Sequence, residues 1–120
     1  MDALRERFNI LIEGGVVIPE AADIAQRAVE RLTARHGRFP EDQVNMFSTH
    51  LASALTRLER RDEIDPPPKE LLAEVEASPW LQEAVGEIEW IERQWGKALP
   101  DAEIRYLIIH YVSLLQKMEG

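Results

Sequence analysis

Two histidines occupy the same place in two similar stretches of this chain, and imidazole is the side chain best suited to chemistry near neutral pH. His50 follows Pro40 by ten residues, as His110 follows Pro100. Seven residues further on come Arg57 and Lys117, a spacing that returns a helical side chain to the same flank. A titratable ring and a cation therefore share a flank twice. An imidazole nitrogen is a competent nucleophile, and a phosphoryl group placed there adds strong negative charge. Neighbouring cations accommodate that charge or repacking relieves it, and either outcome makes a switch. The competing reading of each histidine is a packed, structural ring.

Other chemistry finds little support. Glu103 with His50 and His110 offers metal donors, but a site needs three or four ligands with a supporting shell, so no metal is assigned. Glu103 and His110 are too far apart along one helix for a direct hydrogen bond. The sequence has no glycine-rich phosphate loop, serine elbow or His-Glu-x-x-His pattern. No catalytic residue and no cofactor is expected, and the chain does not read as an enzyme.

The elements that must position the histidines are helices. Residues 39–61 carry Val44, Phe47, Leu51, Ala54, Leu55 and Leu58, the spacing of one apolar stripe, with His50 and Arg57 bordering it. The stretch from Leu99 repeats this: Glu103 matches Gln43, Ile104 matches Val44, Leu107 matches Phe47, and Leu114 and Leu115 match Ala54 and Leu55. Repetition of this kind reports duplicated structural units.

In chain order, Leu4, Phe8, Leu11 and Ile12 line one side of a short first helix that Gly14 and Gly15 end. A second helix runs from Pro19 to about Arg35, facing inward with Ala22, Ile24, Ala25, Ala28, Val29 and Leu32, and Gly37 stops it. The central helix runs from about Pro40 to Arg61. Asp65 and three prolines then form a rigid bend. A short helix led by Leu71, Leu72 and Val75 follows, over 68–77. Ser78 and Pro79 read as the cap and first residue of the next helix, which carries Leu81, Val85, Ile88, Ile91 and Trp95 inward and closes at Gly96. The last helix runs from about Pro100 to Met118. No stretch reads as a convincing strand. The fold expected is all-α: a compact bundle of five main helices over 16–120, with a short extra N-terminal helical segment over 1–15.

Composition sets outer bounds. A chain of 120 residues fits one domain. It has no cysteine, which suits a reducing compartment. No signal segment opens it and no apolar run approaches bilayer length, so a cytoplasmic protein without membrane contact is expected. Fourteen basic against twenty-two acidic residues leave a formal charge of −8, and direct nucleic-acid binding is not expected from such a chain. Arg57, Arg60 and Arg61 are interleaved with acids and complement a helix C-terminus. Trp80, Trp90 and Trp95 supply core or interface area, and Trp90, off its helix's apolar stripe, is assigned to a partner surface.

The residues also carry a resemblance. The run Met46 to Leu51 with Ala54 and Arg57, the Asp65-Pro66-Pro67 bend, and the Leu99 to Ile104 segment leading to His110 resemble the PTS regulation domain, or PRD, over most of the chain. The resemblance implies a five-helix, commonly dimeric bundle found in bacterial regulators of sugar operons. It implies that His50 and His110 accept phosphate from the phosphocarrier protein HPr or a sugar-specific enzyme II; Arg57 is read as a helper that positions His50 or meets its phosphate. An aspartate often precedes the first histidine in the family pattern. Thr49 stands there here, so the resemblance implies phosphorylation more strongly at His110 than at His50. Family members usually carry paired copies and an attached effector domain. This chain has room for one copy, so a stand-alone regulator acting through a homodimer or a protein partner is expected. Two alternatives belong to other classes: a structural or adaptor subunit with packed histidines, and a small-ligand-binding accessory protein using the tryptophans and histidines as a pocket.

Overall fold

Proline and glycine punctuate the chain, and the helices run between them. The computed structural model describes residues 2–61 and 65–116, the side chain of Asp2 excepted. Among the described residues there are six α-helices and no strand: α1 (Asp2–Glu13), α2 (Pro19–His36), α3 (Glu41–Glu59), α4 (Lys69–Glu76), α5 (Leu81–Trp95) and α6 (Asp101–Gln116). The all-α expectation holds. Lys117 and Met118, which the sequence places at the end of the last helix, lie outside the described residues.

Local chemistry explains the helix ends. α2 opens on Pro19, whose missing N–H is one of the donors a first turn leaves without an intrahelical partner. Glu41 and Asp42 sit in the first turn of α3, facing its positive end. α5 stops at Gly96, which takes a left-handed conformation (φ 84°) and sends its N–H to the Glu92 carbonyl at 2.8 Å. One expected start moves. Ser78 and Pro79 form a turn in which the Ser78 hydroxyl accepts the Trp80 N–H at 3.1 Å, so α5 begins at Leu81. Serine competes for backbone donors in turns as readily as at caps.

The helices form two compact units, Met1–Glu63 and Ile64–Gly120. In the first, α2 packs on α3 and α1 on α2. All six expected inward residues of α2 are buried, together with Ala21. From α1, Leu4 and Phe8 are buried, and Phe8, fully enclosed, contributes about 1.5–3 kcal/mol of apolar burial. The turn after α1 is tied to the end of α3 by side chains. Thr56, buried on α3, donates to the Ala52 carbonyl at 2.8 Å and accepts the Ile18 N–H at 3.1 Å. Arg60 donates to the Gly15 carbonyl at 2.7 Å.

In the second unit α6 packs on both α4 and α5. Ala84, Ile88 and Ile91 of α5 are buried, as are Leu107, Tyr111, Val112, Leu114 and Leu115 of α6. The loop before α6 is fixed by Glu92, whose carboxylate accepts the Leu99 N–H at 2.8 Å. Two expected inward residues face out: Leu71 is 46 % and Val85 40 % exposed. On α4, a helix of only eight residues, Val75 alone is buried.

The Thr56 bond is testable because valine matches threonine in shape but lacks the oxygen. Thr56→Val is expected to lower the folding free energy by about 1–2 kcal/mol, since the Ile18 N–H loses its acceptor. A shift of the urea midpoint at unchanged slope reads this. Thr56→Ser is expected to keep most of the stability. Equal midpoints for valine and wild type would show that the bond does not close this corner.

Candidate functional site

The geometry of the site follows from how α3 is turned. Phe47, Ser48, Leu51, Ala52, Ala54, Leu55 and Thr56 are buried and form one arc that runs from Ala54 at one edge to Thr56 at the other. At about 100° per residue, His50 and Arg57 lie about 20° apart on the helix surface, just outside that arc. His50 is exposed and Arg57 half-buried. The sequence set the ring beside the core; the structure sets it beside the core and open to solvent.

The His50 ring is held below its ordinary value of 6.5. The larger cause is partial desolvation: packed neighbours strip part of its hydration even though the residue reaches solvent. The smaller cause is the positive charge of Arg57. Both favour the neutral ring, the form with a lone pair to offer. His50 and Arg57 therefore interact electrostatically, with the guanidinium opposing a positive charge on the ring.

A third residue, not singled out by the sequence, reaches the same helix. Arg7 of α1 donates from Nε to the Thr49 hydroxyl at 3.1 Å, in an exposed position. Thr49 immediately precedes His50. The contact spans forty-two residues, so no local periodicity could announce it.

His110 lies on α6, in the second unit, and is half-buried beside the fully buried Tyr111. It stands nine residues after the first residue of α6, as His50 does in α3. The repeat extends to burial. Phe47 and Leu107, Leu51 and Tyr111, Ala52 and Val112, Ala54 and Leu114, and Leu55 and Leu115 are buried in both, while Val44 and Ile104 are half-buried. The copies differ at the first turn, where Gln43 is half-buried and Glu103 is only 2 % exposed. Lys117, the expected cation of the second copy, lies outside the described residues.

The rest of the surface is less distinctive. Trp80, Trp90 and Trp95 are all half-buried, so none is a full core residue. A cleft of about 650 Å³ in the first unit is lined by residues including Leu4, Val29, Arg38, Phe39 and Val44, and by no tryptophan or histidine. The third histidine, His36, packs edge-on against Phe39 at 6.3 Å between ring centres. Among the described residues no group of three or more His, Cys, Asp or Glu is placed to hold a metal ion. No helix among them is long and apolar enough to cross a membrane.

Comparison with known proteins gives two matches. The family model described as "PRD domain" matches residues 26–114. A protein of Escherichia coli (strain K12), named "Uncharacterized protein YhfY", is 31 % identical over 112 residues, covering 92 % of this chain and 93 % of its own. No solved structure matches.

The electrostatics of His50 give a pH-dependent expectation. Its folded pKa is below its unfolded one, so near pH 6 the unfolded chain binds more protons and stability rises with pH. This contribution is complete above the unfolded value and is lost as pH falls through the folded one. Urea titrations from about pH 8 to about pH 5 are expected to be flatter for His50→Gln than for wild type. In an NMR titration, Arg57→Met is expected to raise the ring's pKa only part of the way to 6.5, because desolvation, the larger cause, remains. Parallel stability curves for wild type and His50→Gln would show that folding does not hold the ring neutral.

Proposed function

Because the chain belongs to the PRD domain family, a family of regulatory rather than catalytic domains, we propose that it is a phosphotransferase-system regulatory domain switched by phosphorylation of His50 and His110. The observation that carries this reading is the state of His50: reachable from solvent, biased to the neutral ring, and next to Arg57. The repeat supports His110, whose helix buries five of the apolar register positions that α3 buries.

The transfer is an in-line exchange. The unprotonated His50 nitrogen attacks the phosphorus of a donor phosphohistidine; the new N–P bond forms as the donor's breaks, and the electron pair returns to the donor ring. The donor imidazole takes a proton from solvent, and the phosphorylated ring releases one. Arg57 then faces a phosphoryl group carrying between one and two negative charges. The donor is HPr or a sugar-specific enzyme II. The effect passes on through a homodimer or a protein partner, in the cytoplasm.

The test is direct. Incubation with phosphoenolpyruvate, enzyme I and HPr, with or without enzyme II, is expected to add one or two phosphates to the intact mass, each acid-labile. His50→Ala and His110→Ala are each expected to lose the phosphate carried by the replaced residue. No adduct, with both variants strongly destabilised, would favour packed histidines in a structural subunit. No adduct with both variants stable would favour a separate interaction surface.

A further inference from the structure

α1 lies before residues 26–114, so the family match assigns it nothing. It nevertheless places a cation against the helix that carries His50. Leu4 and Phe8 are buried at 5 % and 0 % exposure, which anchors α1 on both sides of Arg7. From that anchor Arg7 reaches α3 and donates to the Thr49 hydroxyl at 3.1 Å. Thr49 and His50 stand about 100° apart on the surface of α3, and both lie in the sector that the buried face leaves open, so Arg7 reaches the side of the helix that also carries the His50 ring.

We propose that Arg7 is the second cation of the His50 site, resting on Thr49 while the ring is bare and moving to the phosphoryl oxygens once it is modified. This rests on the reading of His50 as a phosphoryl acceptor. The exchange is favoured because Arg7 now bonds a neutral hydroxyl, whereas a phosphoryl group offers charged oxygens that a guanidinium can engage in a fork. Arg57 meets the same group from α3 itself. Modification of His50 thus bridges two helices, and α1 is held more tightly to α3 when the phosphate is present.

The test uses the full chain and phosphoramidate, a small phosphoryl donor that needs no partner protein. Phosphate is assigned to His50 by fragmentation at neutral pH, with His50→Gln as control, and amide hydrogen exchange is read in α1. Phosphorylation is expected to slow exchange in α1 about two- to fivefold, the range of an exposed ion pair, and high salt is expected to weaken the effect. Arg7→Ala is expected to abolish the slowing and Arg7→Lys to restore part of it. Thr49→Val, which removes the resting partner, is expected to preserve it. Phosphate on His50 with α1 exchange unchanged, or slowed equally in Arg7→Ala, overturns the role of Arg7 and leaves His50 standing as an acceptor. No phosphate on His50 in the wild type overturns both.

Discussion

The apolar stripe of α3 must be buried, and once it is, the helix has one way to turn. Phe47, Leu51, Ala54 and Leu55 are enclosed in a unit where α3 packs on α2, and a rigid helix cannot bury that arc without presenting the adjoining flank. His50 and Arg57 are on that flank because seven residues make nearly two whole turns. The turn after α1 fixes the far end: Thr56 and Arg60 hold the Ile18 N–H and the Gly15 carbonyl. Polar bonds at one end and apolar burial along the length leave the ring in a defined place. The exposure of His50 is thus a consequence of packing elsewhere on its helix.

The same constraint acts in α6. Its buried positions coincide with those of α3 in register, from Leu107 to Leu115, so the repeat conserves an orientation as well as a set of residue types. The copies diverge where burial of polar groups changes. Glu103 is enclosed where Gln43 is half-open, and His110 is half-buried where His50 is exposed. A buried carboxylate is costly without hydrogen-bonding or charged partners. The second copy therefore carries a stricter polar requirement at its first turn than the first copy does.

What could be read from the sequence was whatever depends on neighbours within a few residues. The stripes of α2 and α3, the glycine stops at Gly37 and Gly96, and the match between α3 and α6 all follow from helical period and backbone freedom. Four kinds of feature escaped. Leu71 and Val85 fit an apolar period yet face out, because period states which residues share a side and not whether another element covers it. Ser78 and Pro79 carry a start signal that a turn uses equally well. The Arg7–Thr49 and Thr56–Ile18 bonds join residues forty-two and thirty-eight apart, and only the path of the chain brings them together. His50 itself was placed by spacing, but its exposure was not, since spacing puts a residue on the border of a stripe without saying how far solvent reaches.

In the proposed switch, the electrostatics of α3 serve two states with one arrangement. A cation beside an imidazole opposes a second positive charge, so Arg57 holds the bare ring toward its neutral form, in concert with desolvation. The same charge attracts a group carrying between one and two negative charges. Under the proposed phosphorylation of His50, repulsion before modification and attraction after it would both favour the phosphorylated product over the protonated ring. An acidic residue in place of Arg57 would reverse both terms at once, raising the ring's pKa and repelling the phosphoryl group. In a chain with a formal charge of −8, the cations that face this flank therefore matter more than the net charge. The sign of the local field decides whether this histidine is a base that collects protons or a nucleophile that keeps its lone pair.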